Sequence, residues 1–460
     1  MRAHRRRLRR AFTLVEVLVA LSAGVLVSMA AFTLSKNATA YFQHEARIAS
    51  AQLALTLAMN RLTGDIQRAS LLSTPNIAKD PTVCNGAGWP VGLSLLSGIT
   101  ITPGVATPQG SLQNPPETPQ SSSWEPQTPP DKIVIGGSMD SSEVYQVQSI
   151  IPGAGGAPLL VMRNPANEPA TYRAQASLGP GETLTCKLMP SFAPNLYTGT
   201  TIPACPALIP SGRFGHIYQP STNFHWFGVI STVTLDPVTG AINVQLATTP
   251  AIPVKPASTC GIGLGDTGQG WLFSVVSRVQ YDIESLVNAS GVYIGNNPAY
   301  SGMLATPAGA QAQLKVTGDG GRTELVRTEL DANNQPVANS AELVAEYAVD
   351  LRFGVTVSSL ITGYNYNPTV TSYPLDDQQV YIAAAPVSAT GGGTPQLIRA
   401  VQVRLAIRSR APDRDADLPM GPDGRRLHFL VDPTLQPSYA RVRTNYANVA
   451  LPNQGGFSLW

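Results

Sequence analysis

A long N-terminal α-helix packed on an antiparallel β-sheet head with large loop insertions, an α+β arrangement, is the architecture encoded in these 460 residues. The chain has no proline between Phe12 and Pro75, and that stretch holds first a continuous apolar run and then an apolar stripe at helical spacing. Beyond residue 71 the pattern turns to short alternating segments. The clearest is where Val349, Leu351, Phe353 and Val355 interleave with Asp350, Arg352 and Gly354, a two-residue period that marks a strand with one buried face. The composition agrees: 41 glycines, 39 prolines and only 13% charged residues suit a turn-rich exported domain better than a helical cytosolic enzyme.

Residues 1–11 are a basic leader carrying Arg2, Arg5, Arg6, Arg7, Arg9 and Arg10. The helix is expected over 12–70, with an apolar half at 12–35 and an amphipathic half at 36–70. No charged residue lies between Val17 and Ser35, and a run of about 20 apolar residues is what a hydrocarbon core requires. Arginines before the span and none within it place the N-terminus in the cytoplasm and the rest outside. Glu16 is the one acid in the run. A carboxylate at mid-membrane costs about 3 kcal/mol, so a bare anchor would not carry it. In the second half Ile48, Leu55, Met59, Leu62 and Ile66 draw one stripe, with Glu45, Arg47, Gln52, Asn60, Arg61, Asp65 and Arg68 on much of the remainder. A single helix of about 59 residues would be roughly 88 Å long.

The head, 71–460, is read as strands. Ile133–Ile135 and Val144–Ile151 come first. Val229–Leu235 and Ala241–Ala247 flank the turn-forming Asp236–Gly240 and predict a hairpin. Val275–Ile283 alternates, and Leu325–Leu330 leads into a turn at Asp331–Asn334. A short helix is expected at 341–347, then strands at Val349–Val355 and Val401–Ile407. Residues 102–130 hold eight prolines and no lysine or arginine. They predict an exposed insertion with little to bury, and the 152–220 stretch predicts a second decoration.

Cys84, Cys186, Cys205 and Cys260 form an even set in the exported part, hence up to two disulfides and three pairings. A Cys186–Cys205 bridge would close a short loop worth roughly 3 kcal/mol, leaving Cys84 with Cys260. Zinc is disfavoured, because no Cys-x-x-Cys or matching histidine spacing exists. Gly263–Gly268 has the G-x-G-x-x-G spacing, but Trp271-Leu272-Phe273 and a strand follow it instead of a helix, so it reads as a loop. Nucleophile elbow, Walker-type loop and calcium loop are all missing from the sequence. His216 and His225 flank an aromatic run and read as packing. Arg404, Arg408 and Arg410 read as a solvated strand face. The chain without residues 1–11 carries 25 basic against 29 acidic residues, net −4, so no nucleic acid is expected as a partner. No enzyme and no cofactor are expected.

The run Ala11-Phe12-Thr13-Leu14-Val15-Glu16 behind a basic leader resembles the type IV prepilin signal. That resemblance implies cleavage between Ala11 and Phe12 by a membrane prepilin peptidase, N-methylation of Phe12, and a role for Glu16 in joining a filament. Ala11 stands where the family usually has glycine. The order of the last strands (275–283, 341–357, 398–410, 440–449) also resembles the PilW-like minor pilins; the likeness is sharp over 9–70 and faint over 270–450. It implies a type IV pilin-like fold and a structural subunit that primes pilus assembly and sits in a tip or cap complex. Implied partners are other minor pilins, the major pilin, the inner-membrane assembly platform and a large tip adhesin, with the membrane met through 12–35. The implied location is the inner membrane, single-pass with a periplasmic head, and then the extracellular pilus.

Other readings share the same residues. Arg9–Leu14 also fits a twin-arginine export signal, and Ala38-Thr39-Ala40 a cleavage site for that signal or a Sec signal, but an apolar region of 7–15 residues is usual there and this one is longer. An uncleaved signal anchor is the third. Within the filament class, a J-like type II secretion pseudopilin and a tip adhesin or DNA-binding module are the alternatives.

Overall fold

The computed structural model of the protein describes residues 13–84, 88–103, 130–140, 143–162, 209, 211–235, 242–252, 263–265, 270–284, 323–337, 340–358, 369–375, 377–385, 393–410, 428–430 and 439–457. The chain divides into two units, one ending at Leu53 and the other beginning at Ala54.

The first unit is helical. α1 (Leu14–Gln67) starts there, and its Leu14, Leu18, Leu21, Phe32 and Leu34 side chains are exposed. Straight-chain and small residues without proline sustain it. The helix closes on tightened bonds, Arg68 N–H to Asp65 O at 3.0 Å and Ala69 N–H to Ile66 O at 3.0 Å, and Ser70 then turns left-handed at φ 60°.

In the second unit the last turns of α1 bury Leu55, Ala58, Met59, Leu62 and Ile66 in one core with Ile99, Ile133, Val279, Phe353 and Val403. The strands are β1 (Ile99–Thr102), β2 (Lys132–Gly137), β3 (Tyr145–Pro152), β4 (Pro158–Met162), β5 (Phe214–Gln219), β6 (Phe224–Leu235), β7 (Ile242–Leu246), β8 (Trp271–Glu284), β9 (Glu324–Leu330), β10 (Glu342–Glu346), β11 (Ala348–Ser358), β12 (Val370–Tyr373), β13 (Ile398–Arg408), β14 (His428–Leu430) and β15 (Tyr439–Ala450). Among the described residues, short helices lie ahead of β1, α2 (Val91–Ser94), and between β12 and β13, α3 (Gln378–Ala383).

A five-stranded antiparallel sheet runs β12-β11-β13-β15-β14. The other ten strands share β8. Its second half lies between β2 and β9, with β1 and β10 outside them. Its first half pairs β3 on one side and β5 on the other, and β3-β4-β7-β6-β5 returns to β8, all antiparallel. These six strands therefore close into a barrel, which removes their edges. Val147, Leu160, Ile217, Trp226, Ile230, Val244, Trp271 and Phe273 fill it.

Space inside the barrel is tight. A Cβ on Gly228 would stand 2.5 Å from the Trp226 ring. Gly228→Ala is therefore expected to destabilise the protein by about 1–3 kcal/mol through overpacking, read as a lower urea midpoint of the detergent-solubilised chain.

The helix expected at 341–347 is instead β10. Its Leu343, Val344 and Tyr347 have helical spacing, but Glu342 and Leu343 pair with Arg327 and Val326 on β9, and a bulge between Leu343 and Ala345 lets Ala345 take its place in the core. Sheet pairing overrides a weak local preference. The turn at Asp331–Asn334 is present, with Asp331 Oδ1 accepting from the Asn333 and Gln335 amides at 2.8 Å each. Most of the 102–130 insertion, residues 104–129, lies outside the described residues, as do 163–208 and the hairpin tip 236–241.

Candidate functional site

The first turn of α1 carries Glu16, the one acid in the apolar run. Ala11 and Phe12 lie outside the described residues. Glu16 is described, exposed, and turned back on the helix start: its Oε2 accepts from the Thr13 N–H and from the Thr13 hydroxyl, each at 3.0 Å. The Thr13 hydroxyl in turn accepts from the Glu16 amide at 3.3 Å. This reciprocal pair is a capping box, with Thr13 at the cap and Glu16 three residues on. The Thr-x-x-Glu spacing ahead of an apolar run could have found it. A carboxylate here also faces the positive end of the helix dipole. Among the described residues α1 is one helix long and apolar enough to cross a membrane, and the apolar window is unburied within the protein.

Farther along α1, Asp65 was placed by sequence among the polar positions, yet it is 3% exposed. Its position between Leu62 and Ile66 is the signal: it interrupts the apolar stripe. The carboxylate accepts from the Tyr281 hydroxyl and from Arg327 Nε, both at 2.7 Å, on β8 and β9. Burial, and then the Asp65 charge, push the Tyr281 phenol up. A second buried pair joins the five-stranded sheet to the residue before β2. Asp131 accepts from Arg352 Nη1 at 3.0 Å, the Tyr381 hydroxyl at 2.9 Å and the Phe353 amide at 3.3 Å. Asp350 takes Arg352 Nε at 3.3 Å and Arg404 Nε at 2.7 Å.

The arginine face expected to be solvated is so only at Arg410, which is exposed. Arg404 pairs with Asp350, and Arg408 is 1% exposed, its guanidinium over the Tyr347 and Phe429 rings at 4.9 and 5.5 Å. Alternation along β13 told which residues share a face, not that Asp350 on β11 would pair with Arg404 or that the Tyr347 and Phe429 rings would cover Arg408. Arg278 is also buried; its Nη1 donates to the Gly92 carbonyl at 3.1 Å and to Asn334 Oδ1 at 2.7 Å, and desolvation pushes it down to about 10.

Cys84 is disulfide-bonded, while Cys186, Cys205 and Cys260 lie outside the described residues. His216 and His225 come together, Nε2 to Nδ1 at 2.7 Å. Among the described residues no three His, Cys, Asp or Glu side chains gather as a metal site. Gly263–Gly265 lies in the segment leading to β8, and 266–269 lies outside the described residues. No family model, curated protein or solved structure matches this chain.

Proposed function

We propose that this protein is a structural subunit of a type IV pilus, a PilW-like minor pilin that primes filament assembly and occupies a tip or cap complex. The observation that carries the reading is the start of α1: a single carboxylate, Glu16, one turn into an unpartnered apolar helix and four residues after the phenylalanine of Ala11-Phe12-Thr13-Leu14-Val15-Glu16. Cutting before Phe12 would free an amine beside that carboxylate. In a low-dielectric surrounding, amine and carboxylate attract far more strongly than in water, and pairing offsets the cost of burying both. An unmatched Glu16 would penalise a misplaced subunit, so the pair acts as a register signal.

The head supports placement at a filament end. A head of 390 residues, 71–460, would crowd a helical shaft built of small subunits. The subunit would wait in the inner membrane through 12–35, N-terminus inside and head in the periplasm. Its partners would be other minor pilins, the major pilin, the assembly platform and a tip adhesin.

Intact-mass and N-terminal analysis of the native protein tests the reading directly. A mature chain beginning with methylated Phe12 is the expected result. A chain beginning at Tyr41 would show a cleaved export signal and end the proposal.

A further inference from the structure

The outer wall of the barrel carries a buried polar feature far in sequence from Glu16. His216 on β5 and His225 on β6 are 4% and 7% exposed. Their rings stack 5.0 Å apart and continue a ladder, Tyr218 on His225 and His216 on Phe227, each at 4.6 Å. Hydrogen-bond directions assign the protons. The Ser274 hydroxyl donates to the Leu72 carbonyl at 3.2 Å, so the His216 Nδ1–H, 3.1 Å away, donates to Ser274. His216 Nε2 is then the acceptor for His225 Nδ1–H at 2.7 Å. The chain leaves His225 Nε2 as a buried lone pair without a hydrogen-bond partner.

The same residues hold the segment after α1 on the barrel. The His225 N–H donates to the Thr82 carbonyl at 2.9 Å, and the disulfide-bonded Cys84 donates to the His225 carbonyl at 2.7 Å. Asp80, from that segment, is the charged group acting on His225. Asp80 is itself held by the Thr74 hydroxyl at 2.8 Å, the Thr82 amide at 2.9 Å and the Thr82 hydroxyl. From the barrel, Tyr218 is the titratable neighbour on β5, and β8 presents the neutral Ser274.

We propose that the His216–His225 pair is a pH-sensitive latch that keeps residues 72–84 seated on the barrel at neutral pH and releases them when acid protonates both rings. One added proton enters at His225 Nε2 and leaves the ring-to-ring bond intact. A second must enter at His216 Nε2, where two N–H groups then face each other and the bond is lost. Burial, and then each ring's neighbour, sets the sign. Burial and His225 hold His216 well below the usual imidazole value of 6.5, and burial holds His225 below it against the pull of Asp80. The open form therefore binds more protons than the closed one. Latch stability is complete above about pH 6.5 and is lost as pH falls below it.

Hydrogen exchange on the full chain in detergent tests the latch at pH 7.5 and pH 5, corrected for intrinsic exchange. The amides of Cys84 and His225 are expected to open about 30-fold more often at pH 5 for one ring taking its proton only on opening, and more for two. The double variant H216F/H225F keeps an aromatic ladder and removes the titration, so its protection should be equal at both pH values. Unchanged protection in the wild type overturns the proposal, as does the same acid loss in the double variant. Should that variant not fold, histidine Cε1 exchange on the wild type decides: two rings titrating below 6.5 support the latch, and rings at or above 6.5 overturn it.

Discussion

Asp65→Ala is expected to destabilise the head by about 3–5 kcal/mol, the cost of breaking a buried ion pair from one side. Asp65 and Arg327 have side chains 4% and 5% exposed. Without the carboxylate, the Arg327 guanidinium keeps, among the described residues, Glu342 as its acidic neighbour, 3.7 Å away and half exposed, and the Tyr281 hydroxyl loses its acceptor. Because Asp65 lies on α1 while its partners lie on β8 and β9, the loss falls on the seating of the helix on the sheet. The measurement is the urea midpoint of the full chain, with limited proteolysis near residue 70 as a local probe. Asp65→Leu with Arg327→Met should recover much of the loss, since an apolar pair of similar volume removes both desolvation costs. A loss below about 1 kcal/mol for Asp65→Ala would mean that water or a rearranged partner replaces the carboxylate.

Glu16→Ala is expected to leave membrane insertion intact and lower incorporation into filaments by roughly tenfold or more, the scale set by leaving an amine unpaired in low dielectric. The capping box complicates this variant, because Glu16 also satisfies the helix start. Thr13→Ala separates the two roles: it removes the reciprocal cap but keeps the charge. Wild-type incorporation of Thr13→Ala beside failure of Glu16→Ala assigns the effect to the carboxylate. Equal defects assign it to the helix end, and normal incorporation of Glu16→Ala defeats the register role. Immunoblots of sheared filaments against membrane fractions give the readout.

Much of the fold was legible. Proline-free length and the 55-59-62-66 stripe located α1 and its buried face, two-residue alternation located β8, β11 and β13, and the family resemblance alone pointed to β15. Most short strands were not legible: β1, β4, β5, β12 and β14 span three to six residues, too few for a period to stand out, and β10 imitated a helix. Closure of the barrel depends on which strands meet across long connections, and no local pattern encodes that. At the candidate site, Glu16 was visible as a misplaced charge. Asp65 was equally misplaced, sitting inside an apolar stripe, but a helix wheel shows only that an acid is present; its partners come from strands more than 200 residues away.

The continuity of β8 has a consequence for how this head can be divided. Its first residues are a stave of the closed ring and its last residues are the spine of the open sheet, with no break between. The ring cannot be excised as a cassette, because any cut that frees it severs the spine. A truncation that removes either half therefore takes with it part of the strand on which the other half is built.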